Sequence, residues 1–420
     1  PNGGTMVTTI RGQLAMVLAT LILAAPSVAP ACVVGAGTSA SCTEAALVDC
    51  LPGGGSFNGS VTFSCGGAKT ITVTSTKTIS ANITINGGGV ITISGGTTVG
   101  VFSVNAGVMF TAENLIIANG SSPSGGGIVN SGTVTVTNST FSGNSALFGG
   151  GIFNDIGGTV TVTNSTFSGN STFAGGRGSG ISNETGTVTV TNSTFSGNNN
   201  AQGGGGINNE NGTVTVTNST FSGNSALFGG GISNETGTVT VTNSTFSGNS
   251  ALFGGGGGGG GINNAAGTVT VTNTIIANST TGDNCSGTIT DGGHNLQFPG
   301  TTCGATVPVA DPLLDPAGLR NNGGPTQTIA LCLRAGTPAG CTGRSPAIDT
   351  ADPVVCAAQP VHNIDQRGVP RSSSIDPICD IGAFEALRPS SAPAASTSAL
   401  LVLALALTAV AWRAVRTARR

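Results

Sequence analysis

Between Ile79 and Gly282 the chain carries six charged residues: Glu113, Asp155, Arg177, Glu184, Glu210 and Glu235. Carboxylates a few ångströms apart are the tools of glycoside hydrolysis, one as acid and the other as base or nucleophile. A carboxylate-bound calcium beside Arg or Lys would serve polysaccharide cleavage too. Glu184 and Glu210 are the pair that adjoining coils would bring together; solvated turn carboxylates are the plainer reading. A denser set follows in Asp349, Asp365, Arg367, Asp380 and Glu385. It would make a calcium site or a charged active centre, or else salt bridges in which Arg320, Arg334, Arg344 and Arg371 join to hold a cap. His294 and His362 are solitary, so no Ser-His-Asp assignment follows. No Cys-x-x-Cys pair argues for zinc. No catalytic residue, cofactor or metal is expected from these patterns; calcium is the one ion they would suit.

The elements that would position these groups announce themselves by repetition. Thr-Val-Thr-Val-Thr-Asn begins at Thr133, Thr159, Thr187, Thr213, Thr238 and Thr268, with a period of about 25–30 residues. Such a period means a solenoid. The composition of the repeat, Thr, Val, Gly, Ser and Asn, is that of strands and turns. Alternation in Thr133–Thr137 puts Val on one face and Thr on the other. Short strands are also expected around Phe141 and around Ile152. Three strands and three turns per repeat make one coil of a parallel β-helix, stacked on the next at about 4.8 Å. The predicted fold class is therefore all-β: a right-handed parallel β-helix of about nine or ten coils.

Stacked copies place like on like. Val134 falls in a file with Val160, Val188, Val214, Val239 and Val269. Phe141, Phe167, Phe195, Phe221 and Phe246 make a second file, and Ile152, Ile181, Ile207, Ile232 and Ile262 a third. Like charges stacked this way would repel, which accounts for their scarcity. Gly149 to Gly151 are read as corners with φ > 0, and length changes in the glycine runs, such as 254–261, as surface bulges. Asn138, Asn164, Asn192, Asn218, Asn243 and Asn273 hold one turn position, and Asn144, Asn170, Asn198, Asn224 and Asn249 another. Inward amides there would bond one another in a structural ladder. Asn138 to Asn243 also fit the N-x-S/T glycosylation pattern, which burial in a ladder would forbid. Outward Thr133, Thr135 and Thr137 would repeat as a flat grid, about 6.7 Å along the strand and about 4.8 Å between coils. Such grids resemble those of ice-binding β-solenoids.

Only 7% of the 420 residues are charged, 70 are Gly and the net charge is -3. Ordinary domains carry about 25% charge. No basic footprint argues for a nucleic-acid partner. Residues 1–31 read as a signal peptide with five leading residues before Met6: Arg11, an apolar run from Leu14 to Ala25, then Ala29-Pro30-Ala31. At the other end a 387–393 linker precedes an apolar stretch at 394–412 and a basic tail at 413–420. That stretch is long enough to span a membrane, with the tail inside. The Cys residues cluster at the two ends, as disulfides of an exported protein would; Cys285 with Cys303, and Cys42 with Cys50 or Cys65, are the expected pairs. Between the termini the expected order is an N-terminal cap at 32–60, plugged by a helix over Thr43–Val48, the β-helix at 61–300, and a C-terminal capping domain at 301–386.

Phe141-Ser142-Gly143-Asn144 and Gly149-Gly150-Gly151-Ile152 resemble the FxxN and GGA[ILV] repeats of polymorphic outer-membrane proteins, which sit on pectin-lyase-like β-helices. No C-terminal β-barrel pattern follows them here. Ala310-Asp311-Pro312-Leu313-Leu314, Gly323-Gly324-Pro325-Thr326-Gln327-Thr328, Ser345-Pro346-Ala347-Ile348-Asp349, Asp365-Gln366-Arg367-Gly368 and Asp380-Ile381-Gly382-Ala383-Phe384-Glu385 together resemble bacterial "choice-of-anchor" surface proteins. Cys42 to Leu51 resembles their CSLREAI-type segment. The resemblance implies surface display. The expected function is a non-enzymatic, membrane-anchored stalk or adhesin at the cell surface, meeting glycans or other cells. The alternatives are a polysaccharide lyase or hydrolase, and an ice- or carbohydrate-binding module using the Thr grid.

Overall fold

A computed structural model describes residues 30–199, 202–253, 257–372 and 378–386. The expected signal peptide up to residue 29, the linker, the apolar stretch at 394–412 and the basic tail lie outside them. Among the described residues no helix is long and apolar enough to cross a membrane.

The chain winds as an all-β parallel solenoid of about 10 turns. The strand Thr133–Thr137 pairs in parallel with Met109–Ala118 on one side and Thr159–Thr163 on the other. The same register runs on through Thr187–Thr191, Thr213–Thr217, Thr238–Thr242 and Thr268–Thr272. A second column carries the strands Thr140–Ser142 to Thr245–Ser247, and a third the strands Ile152–Asn154 to Gly259–Asn264. A further short strand, which the repeat does not advertise, lies between them in several coils: Ser121–Ser124, Ser145–Phe148, Ser171–Arg177, Ser225–Ala226 and Ser250–Ala251.

Hydrophobic burial drives the winding. Val134, Val136, Phe141 and Ile152 and their copies are almost wholly inaccessible. Each such side chain contributes about 1.5–3 kcal/mol on leaving water. The rings of Phe141, Phe167, Phe195, Phe221 and Phe246 stack with centroids 4.6–4.8 Å apart and planes within 3–6° of parallel.

The glycine run serves two ends rather than one. Gly149 alone of its triplet turns left-handed, at φ 65. Gly151 is needed for room: a Cβ there would lie 2.5 Å from the Gly180 carbonyl and 3.0 Å from the Phe167 ring. The longest glycine run is likewise not all surface bulge, since Gly259 to Gly261 form a buried strand.

Two amide ladders fill the turns. In the first, each Nδ2 donates to the next Oδ1 from Asn144 through Asn170, Asn198 and Asn224 to Asn249, at 2.8–3.0 Å. The same amides donate to the carbonyls of Ile117, Phe141, Phe167 and Phe195. The second runs through Asn130, Asn154, Asn183, Asn209, Asn234 and Asn264 at 2.7–3.0 Å. The other file expected to form a ladder behaves differently. Asn138, Asn164, Asn192, Asn218, Asn243 and Asn273 occupy left-handed corners with φ 46–51, and their side chains point out of the bore. Asn138 is exposed, and Asn164 and Asn192 are part-exposed. Asn218, Asn243 and Asn273 are buried from outside, under the C-terminal region. Asn tolerates the left-handed region better than other non-Gly residues, which suits it to this corner.

The solenoid starts earlier than its repeats suggest, because Cys32–Val34 pairs with Ser60–Phe63 as a first rung. The helix Glu44–Cys50, capped by the Thr43 hydroxyl accepting from the Ala46 N–H at 3.2 Å, packs Leu47 into the same core. Disulfides pair Cys32 with Cys50, Cys42 with Cys65, Cys285 with Cys303, Cys332 with Cys341, and Cys356 with Cys379. Residues 310–372 and 378–386 lie along the flank as an irregular deck rather than over the end, with one short helix, Pro353–Ala357. Gln366 marks its seat: its side chain bonds the Ser193 carbonyl, Thr194, Thr220 and Thr326. Further along, Asp352 and Gly382 bond to Asn273, and Ala383 to Thr245.

Candidate functional site

The four acidic residues Asp155, Glu184, Glu210 and Glu235 each follow an Asn of the second ladder: Asn154, Asn183, Asn209 and Asn234. Their backbone N–H groups donate to the carbonyls of Asn130, Asn154, Asn183 and Asn209, one coil back, at 2.8–3.0 Å. They therefore form one file along the axis, about 4.8 Å apart per coil. Sequence reasoning points only to the Glu184–Glu210 pair; the recurrent Asn-acid step is the signal for all four. Ala265 takes the next place in the file.

A second file runs alongside. Phe148 pairs with Arg177, Arg177 with Gly203, and Gly203 with Phe228. Between the files lie the outward residues of the third column, Phe153, Ser182, Asn208, Ser233 and Asn263, in register. Arg177 reaches across, with one Nη at 2.6 Å from Glu210 and 2.8 Å from Glu235. Beneath it Asn208 is fully buried. The Asn208 amide leans on the Glu235 carboxylate without making a hydrogen bond of normal geometry. An open groove of about 660 Å³ begins at Arg177 and is lined by Phe228, Ser233, Glu235 and Asn263. Phe228 meets the half-exposed Phe253 at its rim, with centroids 5.2 Å apart.

The carboxylates crowd one another. Burial first, then the charges of Asp155 and Glu210, hold Glu184 above the ordinary glutamate range. Burial also raises Glu235; Arg177 opposes the rise and Glu210 adds to it.

The second candidate cluster is closed. Asp349, Asp365, Arg367, Asp380 and Glu385 do converge, but around Arg371, which is wholly buried. Arg371 donates to Asn218 Oδ1 at 3.0 Å and to the Gly382 carbonyl at 2.7 Å, and stands 3.6 Å from Glu385. Arg367 pairs with Asp365 at 2.6 Å and lies over the Phe384 ring. Asp365 also accepts the backbone N–H groups of Val369 and Glu385. Asp380 accepts from Asp349 and Ala386, Glu385 accepts from Asp380, and Asp349 pairs with Arg344. Burial, with the Asp349 charge adding, pushes Asp380 up to about 7. These groups brace the deck. Among the described residues no group of three or more His, Cys, Asp and Glu is placed to hold a metal ion.

The family model described as "Right handed beta helix region" matches residues 58–246 and 128–302, which together cover more than half of the chain. The chain belongs to the right-handed β-helix family. No curated protein and no solved structure matches it significantly. In this β-helix the groove lies along the third column, clear of the deck over the Asn192–Asn273 corner.

Proposed function

We propose that this β-helix is a non-enzymatic, stalk- or adhesin-like rod displayed at the cell surface, which contacts glycans or other extracellular surfaces through the groove at Arg177 and Glu235. The observation that carries the reading is the groove itself. It runs along the rod from Arg177, with the Glu235 carboxylate on one wall, the Phe228 ring on the other and the small polar side chains of Ser233 and Asn263 on its floor. Carboxylates and amides that accept and donate to hydroxyls, beside rings that cover apolar sugar faces, are what a saccharide needs. Arg177 is shared between Glu210 and Glu235, which favours binding over acid-base chemistry: one guanidinium engages both carboxylates at once. The disulfides suit an exported protein. Retention by the apolar stretch at 394–412 completes the reading.

A glycan-binding and polysaccharide-degradation screen on the full chain tests this. Binding without release of reducing or unsaturated ends is expected. Cleavage of any polysaccharide, lost in Glu210→Gln, would make the β-helix a lyase or hydrolase and defeat the proposal.

A second reading rests on a different observation. In six successive coils the outward Thr residues of Thr133–Thr137 and its copies hold one register and remain at least partly accessible, apart from Thr217. An uncharged lattice of hydroxyls and methyls is a surface for an ordered array of water.

A further inference from the structure

We infer that the flank beside the deck is a docking track for an extended peptide segment of another protein. This face is separate from the groove and does not depend on it. The outward residues of the second column run in register from Ile116, through the threonines Thr140 to Thr245, to Ile275. Each follows a left-handed corner asparagine by two residues. The deck covers the half that begins at Thr194, and there the file binds polypeptide backbone. Thr194 Oγ1 donates to the Gln327 carbonyl at 2.6 Å, and the Thr326 hydroxyl donates to the Asn192 carbonyl at 3.1 Å. Asn218 Nδ2 donates to the Ile364 carbonyl at 2.9 Å, and the Ala383 N–H donates to Thr245 at 3.0 Å. Asn273 takes both backbone groups of one residue: its Nδ2 donates to the Asp352 carbonyl at 3.3 Å, and its Oδ1 accepts the Asp352 N–H at 2.9 Å. Ile275 closes the file, buried in one cluster with Leu331 and Ile381 of the deck.

The same chemistry continues beyond the deck, open to solvent. Asn138–Ser142 and Asn164–Ser168 read Asn-Ser-Thr-Phe-Ser, letter for letter the sequence of Asn192–Ser196 and Asn218–Ser222. Their corners have φ 48 and 51, against 51 and 47 under the deck. Asn138 is exposed, and Thr140, Asn164 and Thr166 are partly accessible. None of these four side chains has a hydrogen-bond partner among the described residues. Amide and hydroxyl groups held in that geometry present the donors and acceptors that seat the deck. The track is continuous with that seat, since Thr166 adjoins Thr194 in register. It also ends alike. The partly accessible Ile116 stands beside Thr140 as Ile275 stands beside Thr245, so each half closes on an apolar contact. At about 4.8 Å per coil and about 3.3 Å per residue, roughly four residues of extended chain would cross the open coils. The segment that fits offers its backbone, with Thr or Gln for the corners and an apolar side chain for Ile116.

Fluorescence anisotropy on the full chain tests the inference. The probe is a dye-labelled, end-capped peptide of the deck's own 323–330 stretch, Gly-Gly-Pro-Thr-Gln-Thr-Ile-Ala. Saturable binding with a Kd of about 1 mM or tighter is expected. Thr140→Val with Thr166→Val removes two hydroxyls at nearly constant shape and should weaken binding about tenfold. Ile116→Ser should weaken it about fivefold. Circular dichroism of these variants should match wild type. Absence of peptide binding, or binding indifferent to both variants, would overturn the inference. So would hydrogen exchange showing that the peptide loosens residues 310–372, because it would then have displaced the deck instead of filling the open coils. A dimer in sedimentation that the double variant breaks would assign the track to a second copy of this chain and overturn the separate partner. Binding of a cello-oligosaccharide that the double variant abolishes would overturn it in favour of a glycan.

Discussion

The residues that matter most here differ from one another mainly in which way they point. Asn198 and Asn138 occupy turns of similar composition. Asn198 is inside the rod, donating to Asn224 at 2.8 Å and to the Phe167 carbonyl at 3.0 Å, while its Oδ1 accepts from Asn170. Asn198→Ala should cost about 2–3 kcal/mol, since it strands buried partners on both sides. Asn138→Gly should be nearly neutral, because the corner needs φ > 0 rather than an amide. Paired urea melts of the two variants would separate these roles; equal losses would refute them. Asp380 carries a pH signature. Its folded pKa of about 7 exceeds the ordinary aspartate value of 3.8, so the folded protein binds more protons than the unfolded chain between those limits. Stability from this group is complete below about pH 4 and is lost as the pH rises through about 7. Denaturation across that range should show the fall in wild type and a flatter profile in Asp380→Asn.

At the scale of elements, identical rungs explain both the repeats and the glycines between them. Gly151→Ala would force a methyl against the Gly180 carbonyl and the Phe167 ring. Neither neighbour can give way without disturbing a stacked column, so a loss of at least about 2 kcal/mol is expected in the same melts. Phe195→Ala should cost about 3–5 kcal/mol, as it empties the middle of the phenyl stack. The Thr-bearing strands allow a separate test. If their lattice orders water, the full chain should show thermal hysteresis, and Thr135→Tyr with its equivalents Thr161→Tyr and Thr189→Tyr should abolish it while circular dichroism stays unchanged. A hysteresis that survives all three would exclude this face.

For the whole molecule, the deck is the feature that converts a bare solenoid into one asymmetric rod. It shields Asn218, Asn243 and Asn273 and leaves the groove open. Gln366 is its central fastener, with bonds to Ser193, Thr194 and Thr220 from two adjoining coils. Gln366→Ala should therefore loosen residues 310–386 selectively. Hydrogen exchange should rise there and at Thr194 and Thr220, with the Val214 and Phe221 rungs still protected. Uniform exchange across the solenoid would mean that deck and rod fold as one cooperative unit.

Much of this architecture is legible in the chain because parallel stacking makes each coil's environment a copy of its neighbour's. Period, alternation and the Val, Phe and Ile files follow from that, as does the all-β class. Direction at a turn is another matter: Asn138 and Asn144 look alike in sequence, and only backbone handedness sends one outward and the other in. The acidic file and the arginine that crosses to it arose in the same way. Asp155, Glu184, Glu210 and Glu235 are 25–29 residues apart, and Arg177 belongs to a strand the repeat does not advertise. The deck's position was hidden for a related reason. Its charges pair with one another through irregular backbone, so neither period nor alternation reports where they dock. Local patterning determined the rod; long-range side-chain and backbone contacts, which carry no periodicity, decided what lies on its surface.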